Sequence, residues 1–236
     1  TRMRGDRRRR SSLVARFAWD RLRGRQRGTR LVLGNALVAR LYRLVLNRNV
    51  PVWLDTPASR LVREDGRVLG LVVRQQGREF AVRARRGVVL AGGGFPAGEA
   101  MREQYLPQPV AQYTAAAPGS TGDTIRLAQA VGATLGPSGE DNALWFPSSI
   151  ATRADGSTMV YPHIVLDRGK PGLIAVNAAG RRFVNEAVSY HEFTRAMYRA
   201  HRETPSIPAW LICDRRFIWR YGLGAIRPRT PWLGGY

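Results

Sequence analysis

The chain of 236 residues has one lysine, one cysteine and no long apolar run. All but one of its 38 basic residues are arginine, the exception being Lys170. Lysine and arginine both neutralise phosphate, so selection for nucleic-acid binding gives no reason for that imbalance, whereas a GC-rich coding bias does. The formal net charge of +21 is therefore weak ground for a nucleic-acid partner, and none is expected. The charge is also uneven: residues 1–48 hold 15 arginines against Asp6 and Asp20, so more than half of the excess lies in the first fifth of the chain. A lone cysteine, Cys213, excludes an internal disulfide framework and fits a cytoplasmic protein. The longest apolar candidate, Leu31 to Leu46, is broken by Arg40 and Arg43. It falls short of the roughly 18 uninterrupted residues that cross a bilayer, and no membrane span is expected. There is no signal-peptide core, no His/Cys cluster at metal-ligand spacing, and no P-loop or Gly-x-Ser-x-Gly.

An apolar content of 44% in a chain of this length supports one or two domains with a core. The most informative tract is Gly87-Val-Val-Leu-Ala-Gly-Gly-Gly-Phe95, an apolar run that breaks into three glycines and an aromatic. Such a run reads as a buried strand. Glycines at its end suit either a tight turn or a backbone that must come close to an extended group, as where a nucleotide cofactor passes in an α/β fold. Both readings are open at this point.

Around it the chain organises into three parts. Residues 1–33 are an arginine-rich arm with an amphipathic patch of Leu13, Val14, Phe17, Trp19 and Leu22. It reads as a surface helix with a solvated loop, or as a site for an anionic partner. In residues 34–136, Asn35 is placed to cap a helix over Ala36 to Leu46, ended by Asn47-Arg-Asn49. A short strand is expected at Val50 to Leu54. Three more are expected at Ser59 to Arg63, Val68 to Gln75 and Glu79 to Ala84, joined by the hairpin signals Glu64-Asp65-Gly66 and Gln76-Gly77. A helix over Glu99 to Tyr105 stops before Pro107. The loop Pro118 to Thr124 leads into a helix over Ile125 to Val131, with Asp123 or Thr121 as its cap. That loop is either a plain cap or a holder of an anion or carbonyl on free N–H groups. From residue 137 the texture changes to short strands (Met159 to Leu166, Leu173 to Asn177, Arg182 to Val184, Leu211 to Cys213) and helices at Tyr190 to Arg202 and Arg215 to Tyr221.

Three segments now combine: Arg85-Arg-Gly-Val-Val-Leu-Ala-Gly-Gly-Gly-Phe95, Ser120-Thr-Gly-Asp-Thr124, and Ile174-Ala-Val-Asn-Ala-Ala-Gly-Arg-Arg-Phe-Val-Asn-Glu186. Their order and spacing resemble the FAD-binding flavoproteins of the fumarate reductase and succinate dehydrogenase superfamily, most of all its 3-ketosteroid 1-dehydrogenase-like branch, over about residues 34–220. The resemblance implies an α/β FAD-binding domain, partial and carrying a β-meander, with an inserted α+β substrate or cap domain. The corresponding boundaries are 1–33 for the arm, 34–136 for the partial FAD-binding domain and 137–236 for the cap. Such proteins open with a GxGxxG loop and close with a second glycine-rich stretch, and neither is in this chain. With its start at Thr1 and its stop at Trp232 to Tyr236, the sequence reads as a middle segment.

By position, the resemblance implies FAD contacts at Ala58, Ala91, Gly92, Gly93, Gly122 and Asp123. In the fumarate-reducing members an arginine five residues past the motif asparagine donates the proton; here that position is Tyr190, and Trp145-Phe-Pro147 lacks the histidine those members carry. A dicarboxylate needs cationic, bidentate partners, so fumarate reduction is the alternative reading and not the main one. A basic binding module using the arginine arm is the other. A tyrosine at this place in the ketosteroid branch implies desaturation beside the ketone of an apolar substrate. Tyr190 is then the base that takes the α-proton, and a hydride is accepted by flavin. An unperturbed phenol titrates near pH 10, so such a base needs surroundings that favour the phenolate. The other reading of Tyr190 is an interfacial aromatic at a helix start. Asn185 and Glu186 either fix the local turn or touch substrate. Trp145, Phe146 and Tyr161 read as core or pocket wall, and His163 as structural. The resemblance leaves the electron acceptor open.

Overall fold

The computed structural model describes residues 2–153 and 155–229, with side chains from residue 11 onward. The stop at Trp232 to Tyr236 lies outside the described residues. The chain divides into two compact units between Pro57 and Ala58.

The first unit holds two helices, α1 (Arg2–Leu22) and α2 (Leu33–Asn47). The loop after α1 is closed by Asp20, whose buried carboxylate accepts from the Thr29 N–H at 2.8 Å and from the Thr29 hydroxyl. The patch residues Leu13, Val14, Phe17, Trp19 and Leu22 are all exposed. Helix α2 starts three residues before the expected position, with Val32 at its cap and no side-chain cap bond, so Asn35 sits inside the first turn and is not the cap. Its end is as the asparagines suggest. Asn49 takes a left-handed φ of 52°, and the N–H groups of Asn49 and Val50 return to the carbonyls of Leu46 and Val45, the 5→2 and 6→1 pair that closes many helices. The strand expected at Val50 to Leu54 does not form. Pro51 brings no N–H to a ladder, and the segment runs exposed into a left-handed Asp55.

The second unit opens with the meander β1 (Ala58–Glu64), β2 (Arg67–Gln75) and β3 (Arg78–Arg83), all antiparallel. Both turns have positive φ at two successive residues, Asp65-Gly66 and Gln76-Gly77. That is the geometry whose twist matches a two-residue hairpin. Leu61, Val72 and Val73 are buried. Gly70 is required by close approach, because a Cβ there would sit 2.1 Å from the Val82 carbonyl oxygen. The tract Gly87 to Phe95 departs from expectation. No described strand pairs with it, Gly93 within it takes a left-handed φ of 87°, and Val89 is 90% exposed. Helices α3 (Glu99–Tyr105) and α4 (Asp123–Gln129) follow, with β1 packed against α4.

Two small antiparallel sheets complete the unit: β4 (Ser148–Thr152) with β5 (Thr158–Pro162), and β6 (Leu173–Val176) with β7 (Trp210–Cys213). The expected strand Met159 to Leu166 ends early. The last ladder bond runs from the His163 N–H to Pro147 O, and the chain then coils into the single turn α5 (Val165–Arg168). Arg182 forms only a bridge to Val176. Helix α6 (Tyr190–His201) is capped by the Ser189 hydroxyl, and α7 (Arg215–Tyr221) by the Asp214 carboxylate. The core lies between β6–β7 and α7, where Leu173, Phe217 and Ile218 are buried against Leu211, Cys213, Tyr221, Leu223 and Ile226. Among the described residues no helix is long and apolar enough to cross a membrane.

Candidate functional site

Two clusters carry the chemistry-bearing residues, and both lie in the second unit. The first joins the glycine tract to the loop before α4. Thr124 donates its hydroxyl to the Gly93 carbonyl at 3.2 Å, and the Ala97 N–H reaches Ser120 O at 2.9 Å. A Cβ on Gly92 would meet Thr124 Cγ2 at 2.5 Å, so the two loops touch backbone to side chain only because position 92 is glycine. Gly122, with φ +87°, is the N-cap of α4, and a Cβ there would fall 2.3 Å from Met101 Sδ. Neither Asp123 nor Thr121 caps the helix. Asp123 Oδ1 instead accepts from the Thr121 hydroxyl and from Arg126, and its carboxylate is exposed. Ala58 opens β1, opposite Val73. Ala91, Gly92, Gly93 and Gly94 all present exposed backbone. The cluster thus offers an exposed edge of peptide groups, closed on one side by Thr124, and one accessible carboxylate. That surface fits an extended, flat group such as a dinucleotide, whose approach a Cβ would block.

The second cluster surrounds Tyr190, the first residue of α6. Its ring stacks on Phe146, with centroids 3.9 Å apart and planes 13° apart. The segment carrying Phe146 is fastened to α6 through Asp141. That carboxylate accepts from Arg195 Nε at 2.8 Å and from Trp145 Nε1 at 3.2 Å, and lies 3.4 Å from His191 Nε2. His191 Nδ1 also accepts from the Trp145 N–H. His191 is therefore engaged with Asp141 and Trp145, on the side of α6 where Arg195 points. Trp145 packs on Tyr198, whose hydroxyl donates to Pro109 O at 3.2 Å; burial pushes that phenol above its ordinary range.

The approach to Tyr190 is held by the Ile174 to Glu186 motif, which closes on itself. Asn177 Oδ1 accepts from the N–H groups of Ala179 and Arg181, and Gly180 supplies a φ of 70°. Glu186 returns to the start of the motif: Oε1 accepts from the Ala175 N–H and from Arg182 Nε, both at 2.9 Å, and Oε2 from Arg182. Burial pushes this carboxyl up, but the bonds from Arg182 and the Ala175 N–H outweigh it and hold it below the usual range. Asn185 Oδ1 accepts from the Ala187 N–H at 3.0 Å. Arg168 has no accessible surface; it donates to the carbonyls of Glu186 and Val188 and lies over the Phe193 ring at 4.7 Å. Its desolvation lowers the guanidinium pKa.

A run of contacts joins the clusters. Phe95 meets Tyr105 with ring centroids 5.7 Å apart, and the Tyr105 carbonyl accepts from Asn142 Nδ2 at 2.8 Å, next to Asp141. The residues that sequence reasoning missed are Asp141, Arg195 and Arg168. The bonds by which they join separate segments span 18 to 55 positions, and no local pattern marks those.

The chain matches the FAD binding domain family over residues 1–226, a span that takes in the basic arm. It is 37% identical over 227 residues to a 3-oxosteroid 1-dehydrogenase of Mycolicibacterium smegmatis, covering 89% of this chain and 38% of that protein. It is 32% identical to the 4-oxocyclohex-2-ene-1-carboxylate 5-dehydrogenase of Sinomonas cyclohexanicum, covering 86% of this chain and 34% of that one. Among solved structures, the 3-ketosteroid delta1-dehydrogenase of Sterolibacterium denitrificans, in complex with 1,4-androstadiene-3,17-dione, superposes with a TM-score of 0.78 at 39% identity; the match covers 91% of this chain and 39% of that one. The chain thus spans well under half the length of these relatives.

Proposed function

Because the chain belongs to the FAD binding domain family, we propose for the protein the activity of an FAD-dependent dehydrogenase that introduces a C=C bond beside the ketone of an apolar, steroid-like substrate. The observation that carries this reading is the Phe146–Tyr190 stack at the start of α6. It fixes the plane of a phenol at the place where the family resemblance calls for a base, while His191 is occupied elsewhere. The similar proteins support the substrate class, since the names of both dehydrogenases describe oxo compounds.

In this reading Gly92, Gly93 and Ala91 present backbone to FAD, Gly122 and Asp123 approach it from the start of α4, and Ala58 meets its adenosine end. The chemistry supplied by bound FAD is acceptance of a hydride. Tyr190 Oη takes the proton from the carbon next to the ketone. Phe146 holds the phenol ring and excludes water from one face of it. Asn185 and Glu186 serve the substrate edge by fixing the turn that delivers Tyr190. Residues 34–136 belong to the FAD-binding part, 137–236 to the inserted cap and 1–33 to the arm, in a cytoplasmic protein, a compartment with which the free Cys213 is compatible. A fumarate reductase-like activity has less behind it, because Tyr190 stands where a proton-donating arginine would.

The test is desaturation of a 3-ketosteroid by the native protein and by Tyr190→Phe. The variant is expected to lose turnover by at least 100-fold with its flavin absorbance intact. Unchanged turnover removes Tyr190 from the mechanism.

A further inference from the structure

Ser149, His163 and Asp167 form a connected chain that the flavin chemistry does not use. Ser149 on β4 and His163 just past β5 are diagonal neighbours on one face of the hairpin, because Ser149 is registered with Tyr161. Ser149 Oγ lies 2.6 Å from His163 Nε2, and His163 Nδ1 lies 2.7 Å from Asp167 Oδ2. The other carboxylate oxygen accepts from the Arg168 N–H at 2.8 Å, and the Gly224 N–H also donates to Asp167. Burial pushes the Asp167 carboxyl up, but the bonds from His163, Arg168 and Gly224 outweigh it and keep it ionised.

The protonation pattern follows from that. An ionised carboxylate only accepts, so the proton sits on His163 Nδ1 and the lone pair of Nε2 is left to accept the Ser149 hydroxyl. The imidazole is 2% exposed and cannot swing away. Tyr161 lies 5.6 Å from it, ring to ring, and Gly224 packs so closely that a Cβ there would be 3.1 Å from His163 Cε1. Ser149, by contrast, is exposed. A base buried behind an accessible hydroxyl and oriented by a third, ionised group is the arrangement of an activated nucleophile.

We propose that Ser149 is an activated serine nucleophile, with His163 as its base and Asp167 holding the imidazole, and that it takes acyl groups from small, unhindered carboxylic esters. Ser149 Oγ forms a bond to the carbonyl carbon as its proton passes to His163 Nε2. The bond from that carbon to the leaving alkoxide breaks, and the alkoxide takes the proton from Nε2. Water then adds to the acyl carbon, its proton moving to Nε2. The ester bond to Ser149 breaks, and that proton returns to the serine oxygen. No oxidant or reductant is consumed, and the site is independent of the flavin reading.

The experiment exposes the full chain to 4-nitrophenyl acetate and, separately, to a fluorophosphonate, and reads intact mass followed by peptide mapping. The expected result is one acetyl or phosphonyl group per chain, on Ser149, released from the acetylated form by water. Ser149→Ala takes up neither group at that peptide. Asp167→Asn slows acylation by at least 100-fold, because the imidazole loses its tautomer. If Asp167→Asn fails to fold, Asp167→Glu with an intact circular dichroism spectrum serves, with acylation slowed at least tenfold by the displaced imidazole. Absence of any adduct on Ser149, or adducts of equal yield on native protein and Ser149→Ala, overturns the proposal.

Discussion

Phe146 and Tyr190 are stacked face to face at 3.9 Å although 44 positions apart in the chain, and it is Asp141, not either ring, that holds them there. The rings come from different segments, so their alignment depends on bonds between the 140–146 segment and α6.

Asp141→Asn is accordingly expected to lower kcat of the proposed desaturation by about tenfold with a smaller effect on KM, since a misplacement of about 1 Å at a reacting group is costly. Retained flavin and an unchanged circular dichroism spectrum would separate this effect from unfolding. A loss confined to KM would contradict it.

Arg168→Ala should destabilise the second unit by about 3 kcal/mol, because it strands the buried carbonyl of Glu186 and the half-buried one of Val188. Arg168→Lys should recover less than half of that, since a single ammonium does not reproduce the fork that reaches both oxygens. Urea unfolding of the two variants measures the difference.

The Glu186 carboxyl is held below its ordinary range in the folded chain. A group whose folded pKa is depressed adds stability that is complete above its unfolded pKa and is lost as pH falls through the folded one. The native protein is therefore expected to lose stability on acidification through and below the usual glutamate range. Glu186→Gln should start less stable at pH 7 and show a shallower loss. Parallel acid profiles for the two proteins would exclude Glu186 as a source of the effect.

Gly122→Ala should cost about 2 kcal/mol, combining a left-handed φ with a Cβ pressed against Met101 Sδ and Phe95. Gly119→Ala, where a Cβ meets nothing within 4 Å, is the matched control and should stay within about 0.5 kcal/mol. In the flavin-loaded protein, Gly122→Ala should also release flavin more readily on dilution.

The parts of the fold written in short-range chemistry were legible. Asp65-Gly66 and Gln76-Gly77 announce the meander because few residue pairs accept two successive positive φ values. Helices α3 and α7 occur where the pattern puts them, α3 ending before Pro107. Periodicity reports burial without naming a partner, so the apolar runs at Val50 and Gly87 read as strands although no described strand lies beside them. Asn35 misled because it is a good cap residue lying one turn too late. At the candidate site, the Ile174 to Glu186 motif was readable because its turn, its glycine and its closing glutamate are local. The Asp141 hub and the buried Arg168 were not, since each is defined by what it meets after the chain has folded. His163 read as a structural residue, because its two partners, Ser149 and Asp167, come from either side of the β4–β5 turn and meet it only once the hairpin has formed.

The Gly87 to Phe95 tract, beside which no described strand lies, has a colloidal consequence. Val88, Val89 and Leu90 form a short run of strong β-formers with one member almost wholly in water, the kind of segment that recruits a like segment from another molecule. Arg85 and Arg86 stand directly before it and three glycines directly after. Like charges at one end and flexible backbone at the other oppose stacking. The arginines act through a field that salt screens over about 10 Å at 0.1 M. Solubility of this chain should therefore fall as ionic strength rises, with Arg85 and Arg86 as the residues that oppose stacking of the tract.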